Sequence, residues 1–236
     1  MPTEPSIVVK SPERDARCAW VILVAMIALT QFYYWTRADT IGVTTVGRDW
    51  MEMTRQPLSL VQHNLAAGLI LGVLPLLCAR KLCGLGLRDF GLGFGRPKRG
   101  LVWLAVGIPV AILAAKLSSL QPEMRAVYPL DPHLTAAPGP FARHAGLQFI
   151  YYSAWEILFR GILLYGLKDR FGFAAANIIQ TALSVVAHFG RPFTETASAI
   201  PAGLAFGGVV RHTGSVWYVV IIHWVVGAAQ DWFIIR

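Results

Sequence analysis

The sequence predicts an all-α polytopic membrane protein, a helical bundle with about seven transmembrane helices. Three observations indicate this fold class. Hydrophobic residues make up 55% of the 236 residues and charged residues only 14%, whereas a typical soluble domain carries about 25% charged residues. Several apolar runs approach the length of about 20 residues that a spanning helix needs. The basic residues, which give a net charge of +8, lie mostly at the ends of those runs, as is typical of membrane proteins.

The apolar runs define the predicted helices in chain order. The first run ends in an aromatic cluster suited to a membrane interface. No small-residue cleavage site follows it, so we expect an uncleaved helix rather than a signal peptide. The run 196–210 is the shortest and is rich in glycine. The predicted spans are 18–36, 58–78, 101–119, 145–168, 172–189, 196–210 and 214–235.

The distribution of basic residues predicts the orientation of the chain. With a cytoplasmic N-terminus, twelve Lys and Arg residues fall in cytoplasmic segments and seven in the opposite ones, mainly because of the loop 79–100. This bias follows the positive-inside rule and suits a bacterial inner membrane, with an organelle membrane as the alternative. We expect a disordered cytoplasmic tail over residues 1–16 and a single membrane domain over residues 17–236.

Composition also bears on partners. The Lys and Arg residues do not gather in one stretch, so we expect contact with the lipid bilayer and no nucleic-acid binding. Three cysteines are too few for a disulfide framework, and we expect reduced thiols at Cys18, Cys78 and Cys83. The sequence leaves the oligomeric state open.

Charged residues interrupt the fourth apolar run, which reads "YYSAWEILFRG" over 151–161. Glu156 lies near the middle of the predicted span, and Tyr152 and Arg160 lie one turn before and after it on the same helix face. An ionisable residue at membrane depth costs at least about 2.5–3.5 kcal/mol and usually marks function. A structural ion pair between Glu156 and Arg160 is the alternative.

Two histidines make the functional interpretation stronger. His188 closes the next predicted span in "SVVAHFG", and His223 lies inside the last span in "VVIIHWVVG". Each of these groups needs a polar partner, and we expect Glu156, His188 and His223 to meet in one internal cavity. Glu195 and Asp231 extend the set, although either could be a charge at the membrane interface. The remaining histidines are assigned no catalytic role: His63, His133, His144 and His212.

A carboxylate and two imidazoles in a secluded cavity can deprotonate water and stabilise an oxyanion, which is what amide hydrolysis requires. The same side chains, Glu156, His188 and His223, could instead bind zinc. Spacing does not separate the two chemistries, because the groups come from different helices. No serine or cysteine is placed to act as a nucleophile.

These motifs resemble the CAAX protease and bacteriocin-processing (CPBP) family of intramembrane endopeptidases. That family carries Glu-Glu-x-x-x-Arg on one span, Phe-x-x-x-His on the next and His-x-x-x-Asn on a later one. Here "WEILFRG" supplies Glu156 and Arg160, "SVVAHFG" supplies His188, and "HWVVG" supplies His223. The resemblance covers about residues 83–235 and implies that residues 120–236 form the catalytic core.

Three positions depart from the family pattern. Trp155 stands in place of the first Glu, which in the family is assigned as the base. Ser184 replaces the Phe, and Gly227 replaces the Asn that helps to stabilise the oxyanion. Consecutive helix residues differ by about 100° in direction, so Glu156 cannot point where residue 155 points. We hypothesise that Glu195 and Asp231 supply the missing carboxylate and polar group.

The resemblance therefore implies an intramembrane endopeptidase of glutamic or metal-assisted type. Glu156 or Glu195 would activate water, His188 would orient it and His223 would steady the oxyanion, while Arg160 positions Glu156. No cofactor is required for the glutamic mechanism. The expected substrate is a membrane-associated peptide or protein, such as a processed C-terminus, a lipidated protein or a bacteriocin-like leader.

Two other functions are compatible with the same residues. The altered motif positions favour a non-catalytic relative, a scaffold or an immunity or binding protein that uses the polar cavity. Buried Glu, His and Arg residues also occur in transporters and proton relays. The absence of an inverted repeat counts against a transporter, because the polar residues lie almost entirely in the second half of the chain.

Overall fold

The computed structural model describes residues 12–36 and 60–236, and these two ranges form helices, turns and loops without a strand. The all-α class is therefore confirmed. The longer helices are α1 (Pro12–Thr36), α2 (Leu60–Cys83), α3 (Pro97–Ser118), α4 (Pro122–Val127), α5 (Pro138–Glu156), α6 (Leu164–Phe171), α7 (Phe173–Val186), α8 (Phe193–Thr213) and α9 (Trp217–Ile234).

Over the described residues every predicted span coincides with helical structure, while residues 58 and 59 of the second span lie outside the described part. The helices differ in how well they suit a bilayer. Among the described residues, four helices are long and apolar enough to cross one, namely Asp15–Tyr33 within α1, together with α2, α3 and α9. Helix α7 has 14 residues and is about 21 Å long, less than the ~30 Å hydrocarbon core. The chain is an integral membrane protein, while the cytoplasmic N-terminus and the bacterial inner membrane stay predictions.

Two predicted boundaries are corrected by the structure. Helix α1 begins at Pro12, so residues 12–16 of the predicted disordered tail are helical, and residues 1–11 lie outside the described part of the chain. The connection predicted over 120–144 contains α4 and the first two turns of α5. Helix α5 begins early because Pro138 and Pro140 stand in its first turn, where no backbone N–H is needed.

Within the described ranges, two helical segments are wound more widely than an α-helix. The turn Gly68–Val73 inside α2 and the segment Ile157–Leu163 between α5 and α6 are π-helical. The second segment starts directly after Glu156 and contains Arg160, and all of its residues from Leu158 to Leu163 are buried. Wide turns of this kind occur frequently at functional sites.

Helix α3 lies close against α9 because glycines face the larger side chains of its neighbour. A Cβ atom on Gly100 would lie only 2.0 Å from the ring of Tyr218, and one on Gly107 would lie 2.5 Å from Ile222. Small residues of this kind let membrane helices approach closely, and the gain is van der Waals contact. The Tyr218 hydroxyl donates a hydrogen bond of 2.9 Å to the carbonyl oxygen of Phe94.

We therefore expect Gly100→Ala to lower the thermal stability of the purified protein in detergent, since the new methyl group overlaps the Tyr218 ring. Overpacking of a buried contact costs about 1–3 kcal/mol. Gly146→Ala is the matched control, because a Cβ there meets no heavy atom within 4 Å. Equal melting temperatures for the two variants would contradict a close α3–α9 contact at Gly100.

The glycine-rich loop between α2 and α3 is fixed beneath the start of α9. The indole N–H of Trp217 donates to the Leu92 carbonyl oxygen at 2.9 Å, and the Val216 N–H donates to Gly91 at 3.0 Å. These bonds fix the first turn of α9, the helix that carries His223.

Candidate active site

Glu156 forms the centre of a buried charged cluster. Its side chain is fully buried, and its Oε1 atom accepts a hydrogen bond of 3.1 Å from Nη1 of Arg160. The same oxygen lies 2.7 Å from Nδ1 of His223 on α9. Because a carboxylate accepts and does not donate, Nδ1 of His223 carries the hydrogen in this arrangement. The guanidinium of Arg160 also lies 5.4 Å from the ring centre of Phe206.

The side chain of Trp155, next to Glu156 in the sequence, points in a different direction, as helix geometry predicts. Trp155 meets the ring of His188 edge-on, with 5.2 Å between ring centroids. The Nδ1 atom of His188 lies 2.7 Å from the Ser184 carbonyl oxygen, one turn earlier. Residue 155 therefore faces His188, while Glu156 faces His223. The indole of Trp155 fills the place beside His188 where the resemblance expects a carboxylate.

A single cavity of about 330 Å³ gathers most of the predicted site residues. Its wall includes five of the six: Arg160, His188, Glu195, His223 and Asp231. Glu156 is not part of that wall and touches the cavity only through the side chains of Arg160 and His223. The side chain of His223 keeps 21% of its surface exposed, so its ring stands between the buried carboxylate and the cavity.

Glu195 lies in the first turn of α8 and is bonded to Tyr128, in the connection between α4 and α5. The Tyr128 hydroxyl donates to Oε2 of Glu195 at 2.8 Å. Burial raises the pKa of Tyr128 well above its usual value, and the charge of Glu195 adds to the increase. The phenol thus stays protonated and remains a donor at neutral pH. A second contact, from Thr194 to Glu123 of α4, holds the same two segments together.

Asp231 binds a histidine that the sequence did not single out. Its Oδ2 atom lies 2.7 Å from Nε2 of His144 and accepts a bond of 2.7 Å from Nε2 of Gln148. Asp231 and His144 keep only 1% and 3% of their surface exposed, and Nδ1 of His144 has no partner among the described residues. Both line the cavity, and Asp231 lies about 12 Å along α9 from His223 at the helical rise per residue.

A metal ion is the alternative that the sequence offered for Glu156, His188 and His223. Within residues 12–36 and 60–236, no three His, Cys, Asp or Glu side chains are grouped closely enough to hold a metal. One oxygen of Glu156 is already shared by Arg160 and His223, which suits a charged hydrogen-bonded cluster. Zinc therefore stays a prediction, and the chemistry proposed for this chain rests on its own side chains.

Comparison with known proteins bears on the family. The model of the family described as type II CAAX prenyl endopeptidase Rce1-like matches residues 147–229, about a third of the chain. The match contains Glu156, Arg160, His188 and His223 and ends before Asp231. No curated protein and no solved structure matches the chain significantly. Residues 147–229 are thus similar to this Rce1-like family of CAAX proteases, and the resemblance predicted from the motifs is confirmed.

Proposed function

We propose that this chain is an intramembrane endopeptidase that hydrolyses a peptide bond near the C-terminus of a prenylated, membrane-associated peptide. The observation that carries the proposal is the pairing of His223 with Glu156 at the cavity wall. One ring nitrogen is bonded to a fully buried carboxylate, while the ring itself lines the cavity. The prenylated substrate is suggested by the description of the matched family.

In this mechanism His223 is the group that touches water. Because Nδ1 carries the hydrogen bonded to Glu156, Nε2 has a lone pair that can accept a proton. Water attacks the carbonyl carbon of the substrate and gives its proton to Nε2. The tetrahedral intermediate then collapses with cleavage of the C–N bond, and His223 returns the proton to the departing amine. Glu156 stabilises the imidazolium that forms in between.

The other predicted residues have supporting roles in this proposal. Arg160 fixes Glu156 and balances its charge. His188, held through Nδ1 by the Ser184 carbonyl oxygen, helps to position the water. Glu195 and Asp231 remain candidates for the groups that Trp155 and Gly227 do not provide. The sequence predicted that Glu156 would activate water. In this proposal His223 contacts the water instead, because Glu156 lies behind the cavity wall.

The test uses the 236-residue chain, purified and reconstituted into vesicles of phosphatidylethanolamine and phosphatidylglycerol. The substrate is an internally quenched, farnesylated peptide that ends in a CAAX sequence, with the unprenylated peptide as a comparison. We expect the wild-type protein to cleave the farnesylated peptide at the higher rate. His223→Ala should lower kcat/KM by about 10³-fold or more, since a base of this kind acts as a unit with its carboxylate.

His133→Ala is the matched control, because His133 lies in an exposed loop outside the cavity wall, and it should cleave at the wild-type rate. A wild-type protein that cleaves neither peptide would overturn the proposal and favour a binding function for the cavity. Activity retained in His223→Ala would remove His223 as the base.

A further inference from the structure

The hydroxyl of Tyr152 occupies the space beside Gly227. Gly227 lies four residues after His223, on the same face of α9. A Cβ atom at Gly227 would lie 2.0 Å from the Tyr152 hydroxyl oxygen and 2.6 Å from two carbons of its ring. Glycine is therefore required at 227 for the ring to lie where it does. The tyrosine on α5 fills the volume that a side chain on α9 would otherwise take.

The same ring packs on the proposed base. The centroids of Tyr152 and His223 are 4.5 Å apart, with 47° between the ring planes. Both residues and Gly227 line the cavity. Within the described residues, the Tyr152 hydroxyl makes no hydrogen bond, which leaves its O–H available to a ligand. A neutral donor thus lies next to the imidazole that would activate water.

Other donors near His223 are less well placed for this task. Arg160 lines the cavity but already donates to Glu156 through Nη1, and its Nε atom is buried without a described partner. Gly227 has no side chain to donate. Tyr152 and Phe206 both pack on the His223 ring, and of these two side chains Tyr152 is the one that carries an O–H group.

We propose that the Tyr152 hydroxyl donates the hydrogen bond that stabilises the oxyanion during peptide hydrolysis. The inference rests on the proposed function and assigns it a further catalytic residue. As water adds to the carbonyl carbon, negative charge develops on the carbonyl oxygen, and the Tyr152 O–H donates to it while keeping its proton. When the C–N bond breaks, the C=O bond reforms and the donor is released. Such a donor matters most where the charge develops in a water-poor site.

Tyr152→Phe tests this role with the least change in shape, since the ring stays on His223 and only the hydroxyl is lost. With the farnesylated CAAX peptide, we expect kcat to fall by about 10²–10³-fold while KM changes by less than about threefold. Tyr165→Phe, which removes a hydroxyl outside the cavity wall, should keep the wild-type kcat. An active wild-type protein with an equally active Tyr152→Phe variant would overturn the inference and leave the proposed function intact.

A second readout does not depend on turnover. A farnesylated phosphinate peptide mimics the charged tetrahedral intermediate, whereas the matching reduced-amide peptide does not. We expect the wild-type protein to bind the phosphinate more tightly, and Tyr152→Phe to lose at least about tenfold of that preference, the value of a typical hydrogen bond to a charged group. An unchanged preference would contradict the donor role even if the wild-type protein cleaved no peptide.

Moving the hydrogen-bond donor from residue 152 to residue 227 tests whether side chains at these two positions would occupy the same space. Gly227→Asn alone should inactivate the protein, because the new side chain overlaps the Tyr152 ring. Tyr152→Ala should be inactive for lack of the donor. The double variant Tyr152→Ala/Gly227→Asn opens the space and fills it with an amide donor, and we expect at least tenfold more activity than with Tyr152→Ala. A double variant no more active than Tyr152→Ala would contradict the shared position, provided that both elute as folded protein in size-exclusion chromatography.

Discussion

Glu156→Gln is expected to lower kcat/KM for the farnesylated CAAX peptide by about 10³–10⁴-fold, the loss typical when the carboxylate behind a catalytic histidine becomes an amide. The substitution keeps the size of the side chain. It removes the negative charge that both Arg160 and His223 contact through Oε1. The imidazolium formed when His223 takes a proton then loses its counter-charge. Steady-state kinetics in vesicles measure the effect, and KM should change little because Glu156 does not line the cavity.

Glu195→Gln is the companion variant, and it decides which carboxylate supports the base. Glu195 lines the cavity and accepts a bond from Tyr128, an interaction that glutamine can preserve. We expect a loss of at most about tenfold, the value of one hydrogen bond. If Glu195→Gln abolished cleavage while Glu156→Gln remained active, Glu195 would be the essential carboxylate and the pairing of Glu156 with His223 would be structural.

Arg160→Met is expected to destabilise the fold by about 3–5 kcal/mol, because it leaves the carboxylate of Glu156 buried without its guanidinium. Arg160 keeps only 2% of its surface exposed and Glu156 none, so water cannot compensate for the lost partner. Thermal unfolding in detergent, followed by tryptophan fluorescence, measures the shift. The double variant Glu156→Gln/Arg160→Met should be more stable than Arg160→Met alone, since it no longer buries an unpaired charge.

Arg170→Met is the matched surface control. Arg170 pairs with Asp15 of α1, and half of the Asp15 side chain is exposed, so the pair should contribute no more than about 1 kcal/mol. Equal destabilisation by Arg160→Met and Arg170→Met would mean that Glu156 does not depend on Arg160 as a buried counter-ion.

Much of the fold could be predicted because long apolar runs in the sequence indicate which segments are helices that cross the membrane. The positions of all seven predicted spans coincide with helices, and the pairing of Glu156 with Arg160 follows from their spacing on one helix face. The different directions of Trp155 and Glu156 also follow from helix geometry. Such local properties depend on residues close together in the chain.

The partners across helices could not be predicted in the same way. His144 lies 87 residues from Asp231, and it falls between the predicted spans 101–119 and 145–168, although its helix α5 begins at Pro138. Likewise, the need for glycine at 227 becomes visible only when Tyr152 of another helix is placed against it. Which side chains meet between two helices depends on how each helix is rotated about its own axis. The amino-acid composition does not indicate that rotation.

The π-helical segment Ile157–Leu163 has a consequence for how this chain is compared with its relatives. A π-turn holds one more residue than the α-turn that it replaces, so it is equivalent to a single-residue insertion within an otherwise regular helix. Deleting one residue between 157 and 163 would let the segment relax to an α-helix. Everything after it would then rotate by about 100° relative to Glu156. Hydropathy would hardly change, yet α6 would present a different side to α1 and α7. Where a relative lacks the wide turn, an alignment that places no gap in this helix would therefore shift every residue by one position on one side of Arg160.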